Sequence, residues 1–405
     1  MSVRPAVLPL GAGLAVSPLD ADLAIGGLAV GDLPADPRAD AGRLHHLAGA
    51  LRAEGPRVLG FPGNLDFALE DLAPLLNVLV NNVGDPYCPD ASNIGAKAYE
   101  VAVLEYFAQL AGALPGEVYG YVASSSSEAL LHGLATARRR LPRACVYASD
   151  EAHYSVRRAC ELLRMELVTV ASLPDGRTDP EDLRLRVLQR RGREGAVVLA
   201  TCGTTMRGAV DDVVALREAA RTAGEVYVHV DAAGGGLVAA HTRPEPAWSF
   251  AHGADSLNIS GHKVLGMPVP AGVSLVRRDL LPDTAGGEYI GASDRTLACS
   301  RSGLASLLLW ARLRSLGRTG MAALIARCQE VAAYAVDRLQ QAGADPGRVP
   351  GSLTVTFTRP PAWVVSKWHL ACAGPLAHLV TVGHVTYAAV DELAADLAAC
   401  AKRAA

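Results

Sequence analysis

The pattern from Val118 onward predicts an α/β fold, a mainly parallel sheet covered by helices. Three observations carry that expectation. Short apolar runs alternate with longer amphipathic stretches, as strands alternate with crossover helices. Several of those runs end in small polar or ionisable residues, which is where an open α/β sheet presents its chemistry. Half of the 405 residues are hydrophobic, enough for a large core.

In chain order, residues 1 to about 55 are rich in Ala, Gly, Pro and Asp and only weakly patterned. They read as an arm that packs on a partner subunit or is partly disordered, with one helix from Asp40 to Arg52 capped by Asp40. Two turn-rich loops with an aromatic follow, Leu59 to Asn64 and Asn81 to Tyr87. Ala98 to Leu114 is amphipathic. The alternation then gives strands over Val118 to Val122, Ala144 to Ala148, Glu166 to Ala171, Ala196 to Thr201 and Val226 to Val230. Helices lie between them: from the serines at 124 to 127 through Arg140, Ser155 to Met165 with Arg157, Arg158 and Arg164 outward, Asp179 to Arg191 capped by Asp179, and Asp211 to Ala223. Ala271 to Arg277 is a further strand, expected antiparallel at the sheet edge because the loop from Lys263 is too short for a helical crossover. Leu304 to Ala342 is one long helix, or two broken near Gly317 to Gly320. Beyond Gly343 a small α+β unit is expected: strand Leu353 to Thr358, helix Trp363 to Cys372, strand His378 to Val382 and helix Tyr387 to Ala405. The domain division is 1–97 for arm and loops, 98–310 for the large domain and 311–405 for the small one.

Net charge is −3 with 20% charged residues, which leaves no nucleic-acid footprint and no polybasic membrane anchor. Pro18 and several Asp interrupt the N-terminal apolar runs, and no apolar stretch is long enough to span a bilayer, so a cytoplasmic protein is expected. The eight cysteines (Cys88, Cys145, Cys160, Cys202, Cys299, Cys328, Cys372 and Cys400) form no C-x-x-C pair and read as reduced, mostly buried thiols.

Two loci dominate the candidate chemistry. Ser256 to Lys263 is an apolar run ending in Ser260-Gly261-His262-Lys263, and Val228 to Ala233 is an apolar run ending in Asp231. Each alone has an ordinary explanation, a solvated charge or a turn cap. Together they suggest one cofactor. A lysine can hold an aldehyde as a Schiff base, and a carboxylate can pair with a protonated pyridine nitrogen. Pyridoxal phosphate (PLP) offers both groups. Ser124 to Ser127 can hold a phosphate at a helix start. They can equally be plain caps, Ser124 or Ser125 with Glu128 completing a capping box. His153 follows a strand and can stack on a ring, Thr201 to Thr205 ends another strand near the cofactor, and Ser260 and His262 can reach phosphate or substrate.

These residues resemble the group II PLP-dependent decarboxylases, in the histidine decarboxylase and serine decarboxylase branch. The resemblance rests on Asn81-Asn82-Val83-Gly84-Asp85-Pro86, Gly120-Tyr121-Val122, Ala152-His153-Tyr154-Ser155-Val156, Gly203 to Asp212, His229 to Ala233, Ser260 to Lys263, Ser300-Arg301 and Trp368 to Cys372. It implies a fold-type I, aspartate aminotransferase-like homodimer with active sites shared between subunits. It implies Lys263 as the Schiff-base lysine, Asp231 on the pyridine nitrogen, His153 stacked on the ring, Ala233 on its other face, and Ser126, Ser127, Ser260 and His262 on the phosphate. Ser125, Thr204 and Ser300 complete the expected cofactor contacts. Phe61, Asn64, Tyr87, Ser92 and Arg301 are the expected substrate contacts, and no metal is expected. His153, Tyr87 and Lys263 are all candidates to protonate Cα.

The chain departs from the family at several places. Where members usually read Thr-Asn-Gly-Gly-Thr-Glu-Gly-Asn, this chain reads Ala123 to Leu130 as Ala-Ser-Ser-Ser-Ser-Glu-Ala-Leu. The usual Asn-Tyr pair after the Gly-Asp-Pro motif is Ala91-Ser92, and Gly-Ser-Arg-Asn-Gly-His is Cys299 to Leu304. The cofactor frame persists while substrate-facing positions drift. Decarboxylation of an α-amino acid is therefore the leading expectation. A C–S β-lyase or a decarboxylation-coupled oxidative deaminase acting on an S-linked cysteine conjugate, as in lincosamide-like antibiotic biosynthesis, is the alternative. A non-catalytic paralogue is disfavoured by retention of both Asp231 and Lys263.

Overall fold

Seven strands form the central sheet of the computed structural model, which describes residues 30, 32–190, 194–281 and 286–404. The first 29 residues of the expected arm and the last residue of the expected C-terminal helix lie outside them. In chain order the first elements are α1 (Pro37–Glu54), β1 (Asn81–Val83), α2 (Lys97–Leu110), β2 (Val118–Ala123) and α3 (Ser126–Arg140). There follow β3 (Cys145–Ser149), α4 (Ser155–Leu163), β4 (Leu167–Val170), α5 (Pro180–Leu188), β5 (Ala196–Thr201), α6 (Val213–Ala220) and β6 (Val226–Asp231). The short helix α7 (Gly236–Ala239), then β7 (Ser256–Ser260) and β8 (Gly272–Arg277) complete the sheet region.

The sheet order is β2-β8-β7-β6-β5-β3-β4. Only β8 runs against the rest, because it pairs antiparallel with β7 on one side and β2 on the other. The expected antiparallel pairing therefore holds, but its edge position does not. β2, formed about 150 residues earlier, covers the outer side of β8 in a six-residue register. Gly120 permits that approach: a Cβ there would lie 2.5 Å from Leu275 Cδ2 and from Ser274 O. The expected α/β architecture is otherwise what forms, with buried apolar strands between helices.

Two short pairs, β9 (Gly286–Gly287) with β10 (Ala292–Ser293), and β11 (Ser300–Ser302) with β1, connect the sheet to α8 (Gly303–Gln341). Gly317 breaks α8, with φ 59° and ψ −175° where a side chain would be strained. The C-terminal part carries β12 (Thr354–Thr358), α9 (Ala362–Lys367), β13 (Ala371–Ala373), β14 (Leu376–Val380) and α10 (Tyr387–Ala404), with the antiparallel order β12-β14-β13. One apolar cluster runs unbroken from Val103 and Phe107 through the sheet to Phe357, Leu379 and Leu393. The small sheet is thus joined to the central sheet by a shared core.

Three local expectations need correction. α1 starts before Asp40, because Pro37 favours a first helical turn and Asp36 accepts from the Arg38 N–H at 3.0 Å. Glu128 does not close a capping box. Ser125 caps α3, while the Glu128 carboxylate accepts from the Ser124 N–H and hydroxyl instead. The helix expected up to Cys372 stops at Lys367. His369 takes a left-handed φ of 45°, and Cys372 then pairs with Ala377 in a strand. None of the eight cysteines forms a disulfide. Only Cys145, Cys160, Cys202 and Cys328 are buried, and Cys299 is exposed. Among the described residues no helix is long and apolar enough to cross a membrane.

Candidate active site

Parallel strands bring their C-terminal ends to one edge, and that edge gathers the chemistry. The loops after β2, β3, β5, β6 and β7 carry Ser124 and Ser125, His153, Thr204, Ala233 and Lys263, with Ser126 and Ser127 opening α3 and Asp231 the last residue of β6. A cavity of about 750 Å³ opens beside this edge, walled on the far side by the C-terminal sheet. Phe61, His153, Thr204 and Lys263 line it. The remaining predicted residues do not.

Lys263 is held by its backbone. Its carbonyl accepts from the N–H groups of Asn64 and Gly266, both at 3.0 Å. At Gly261 the turn packs close to α8: a Cβ there would lie 2.7 Å from Leu309 Cδ2. Burial lowers the pKa of the Lys263 amine, and Asp231 opposes that shift through its charge. His153 is likewise lowered by burial, opposed by Asp231 and helped by Lys263 and Arg158. These three groups therefore lie within one another's field. The Ser155 N–H donates to His153 Nδ1 at 3.3 Å, which leaves Nε2 to carry the ring proton.

The serines assemble at the start of α3. Ser126 Oγ lies 2.5 Å from Ser260 Oγ, joining the loop after β2 to the end of β7. Ser125 is committed to its capping role, whereas Ser127 is exposed. Gly272 lets the strand pass under this turn, because a Cβ there would meet Ser125 O at 2.4 Å. His262 Nδ1 is tied to the backbone of Ala271, 3.1 Å from its carbonyl and 3.3 Å from its N–H. Thr204 Oγ1 accepts from the Ala209 N–H at 3.0 Å, and Ala233 donates to Asp231 Oδ1 at 3.2 Å.

The residues expected at the substrate are more scattered. Phe61 is half exposed on the cavity wall. Asn64 is buried and occupied: Nδ2 donates to Val264 O at 3.1 Å and Oδ1 accepts from Asp66 N–H at 2.9 Å. It braces the lysine loop. Ser92 is exposed and turns back onto Asp90, which pairs with Lys97 at 2.9 Å. Tyr87 packs against Tyr119 with ring centres 5.5 Å apart, and burial pushes its hydroxyl up to about 12, which makes it a weak proton donor. Ser300 is exposed, 3.3 Å from Asn81 Nδ2. Arg301 is buried against Glu100 and Gly84 O, so within its own chain it braces the fold.

Several residues escaped the sequence reading. His378 lines the cavity and lies 3.0 Å from Gly60 O and 3.2 Å from Met206 O, linking the Phe61 loop to the loop after β5. Beneath α3 lies a polar row. Asn258 and His229 adjoin Asp231, and His132 lies 2.9 Å from Ser274 Oγ and 3.1 Å from Arg295 O. The signal available was polar residues at alternate positions of otherwise apolar strands.

Burial holds His132 down to about 4, from an ordinary value of 6.5. The unfolded chain takes up a proton below about 6.5 that the native state refuses, so this contribution is complete above that pH and is lost as pH falls toward about 4. We expect the urea midpoint to fall on acidification through this window, and His132→Gln to make the slope shallower. An unchanged slope in that variant would remove His132 from the account.

The site fits a pyridine aldehyde phosphate. It offers a half-buried amine, a carboxylate whose charge acts on it, and serine hydroxyls at a helix start. Next to Asp231 in the β5–β6 register stands Thr201, whose hydroxyl is buried with no partner among the described residues.

Comparison with known proteins agrees with this chemistry. Residues 98–345 match the pyridoxal-dependent decarboxylase conserved domain. A histidine decarboxylase of Mesorhizobium japonicum is 36% identical over 357 residues, 87% of this chain and 96% of that protein. Serine decarboxylase 3 of Oryza sativa subsp. japonica is 36% identical over 339 residues, 82% of this chain and 75% of that protein. Among solved structures, L-methionine decarboxylase from Streptomyces sp. 590 superposes with a TM-score of 0.83 at 25% identity, covering 93% of this chain and 98% of the other.

Proposed function

Because the chain belongs to the pyridoxal-dependent decarboxylase family and is a fold-type I, PLP-dependent amino-acid decarboxylase, we propose that it is of the histidine and serine decarboxylase type, acting at the Lys263 edge of the sheet. The observation that carries this reading is a pKa-lowered Lys263 that lines one large cavity together with His153, both within the field of the Asp231 charge. When bound, PLP supplies the electron sink that accepts the pair released as the α-carboxylate leaves as CO2.

The chain's own residues do the rest. Lys263 holds the cofactor aldehyde and Asp231 faces the pyridine nitrogen. His153 and Ala233 cover the two ring faces. Ser126, Ser127, Ser260 and His262 would receive the phosphate, with Ser125 capping the helix start beside them, and Thr204 stands on the cavity wall. Cα must then gain a proton. Of the groups considered for that task, His153 and Lys263 line the cavity and Tyr87 does not. The substrate side chain lies against a largely apolar wall that includes Val210, Val238, Pro244, Val349 and Leu353.

A second copy of the chain completes the assembly in this reading. α1 carries Leu44, Leu47 and Leu51 on one stripe yet has no buried residue, and Leu76, Val78 and Leu79 are exposed as well. A surface of that kind suits an isologous homodimer of the obligate class, of about 2,000 Å² or more, with Ser300 near the partner's cofactor. Sedimentation should return a dimer. The chemistry is tested on that species by incubating it with histidine, serine, methionine and S-linked cysteine conjugates, assaying CO2, peroxide and pyruvate separately. CO2 with one equivalent of amine supports the reading. Peroxide with aldehyde, or pyruvate without CO2, would replace it with the oxidative or C–S cleaving chemistry.

A further inference from the structure

Parallel pairing of β6 with β7 sets His229 opposite Ser256 and Asp231 opposite Asn258. Because side chains alternate along a strand, these four share one face of the sheet, the face covered by α3, while Val228, Val230, Leu257 and Ile259 join the apolar cluster on the other. All four are buried, with exposures from 0 to 8%. They form a continuous chain of hydrogen bonds. Ser256 Oγ lies 2.7 Å from His229 Nδ1, His229 Nε2 lies 2.8 Å from Asn258 Oδ1, and Asn258 Nδ2 donates to Asp231 Oδ1 at 2.9 Å.

The direction of the chain follows from donor and acceptor chemistry. An ionised carboxylate only accepts, so the Asn258 amide nitrogen must face it. The amide oxygen then faces His229, whose Nε2 must carry the proton. Nδ1 is left to accept from the Ser256 hydroxyl. Every donor points toward Asp231. Burial lowers the pKa of His229, which suits the neutral tautomer this order requires. Room for the ring is made in α3: a Cβ at Gly133 would lie 2.3 Å from His229 Nδ1.

We propose that Asn258 and His229 are positioning residues for the decarboxylation, holding the Asp231 carboxylate in place as an acceptor for the cofactor's pyridine nitrogen. This rests on the reading above that Asp231 faces that nitrogen. Hydrogen bonds to the charged form of a buried carboxylate favour that form, and they fix which way its oxygens point. Asn258 acts directly on Asp231, and His229 acts by fixing the orientation of the Asn258 amide. Neither touches the substrate.

The test uses the holoenzyme and reads cofactor affinity and the pH midpoint of the bound cofactor's visible band as well as kcat. Asn258→Leu removes the donor and should weaken cofactor affinity and lower kcat by about 10-fold or more each, the scale of a lost hydrogen bond to a charged group. Asn258→Asp sets a second carboxylate against Asp231, so one of the two must hold a proton and the band's pH midpoint should move. His229→Gln, which can still present an N–H to Asn258, should retain more activity than His229→Leu. Should Asn258→Leu fail to fold, Asn258→Asp and Gly133→Ala, which crowds His229, carry the same test. Asp231→Asn serves as the reference and should cost about 10²-fold or more in kcat. If it does so while the Asn258 variants leave affinity, band midpoint and kcat as in wild type, the proposal is overturned. If Asp231→Asn itself changes nothing, the underlying assignment of Asp231 fails, and the proposal falls with it.

Discussion

Lys263→Ala should abolish decarboxylation and the visible absorption of the bound cofactor while the protein remains folded. The sequence contains only four lysines, Lys97, Lys263, Lys367 and Lys402. Lys97 is paired with Asp90 at 2.9 Å and Lys367 with Asp396 at 2.6 Å, and neither lines the cavity. Lys263 does line it, and burial lowers its pKa against the opposing charge of Asp231. A desolvated amine reaches its neutral, nucleophilic form at lower pH than an exposed one. No other lysine described can take its place, so the loss should be complete rather than graded. Borohydride reduction of the wild-type holoenzyme followed by peptide mapping should place the adduct on Lys263. An adduct on Lys97, Lys367 or Lys402, or a visible band persisting in Lys263→Ala, would contradict the assignment.

The lysine and its carboxylate were legible in the sequence because each ends an apolar run, and the parallel sheet brings such ends to one edge. The helix breaks at Gly317 and the cap at Asp179 were legible for similarly local reasons: a glycine in a helical pattern, and a carboxylate just ahead of a proline. What stayed hidden depends on partners distant along the chain. The interior position of β8 is set by β2, and neither strand announces the other. Asn258 reads as an ordinary polar residue until β6 and β7 are placed in register and Asp231 stands beside it. Asn64 was expected at the substrate because it sits in a turn-rich loop with Phe61, and Arg301 because it lies in a stretch that resembles a family segment. Tertiary packing instead spends their polar groups on the backbone of the lysine loop and on Glu100. A motif specifies which residues recur together. It does not distinguish those that touch the ligand from those that hold the frame.

Arg301 makes that distinction measurable. Its guanidinium and the Glu100 carboxylate are both almost fully enclosed, with side-chain exposures of 3% and 0%. Arg301 Nη2 also donates to Gly84 O at 2.8 Å, and the guanidinium lies 5.4 Å from the centre of the Tyr121 ring. Glu100 in turn accepts from the Val122 N–H and from Asn82 Nδ2, both at 2.7 Å. One buried pair thus ties β1, α2, β2 and β11 together. Removing one partner leaves the other charge buried and uncompensated, which costs about 3–5 kcal/mol, whereas removing both is far milder. Arg301→Ala should therefore lower the denaturation midpoint sharply. Glu100→Gln combined with Arg301→Met should recover much of the loss, since glutamine still offers an acceptor oxygen. Chemical denaturation of the three proteins, with kcat measured per folded site, separates the two roles. If Arg301→Ala unfolds with wild-type stability yet loses turnover, the guanidinium belongs to an active site, its own or the partner's, and its burial against Glu100 is incidental.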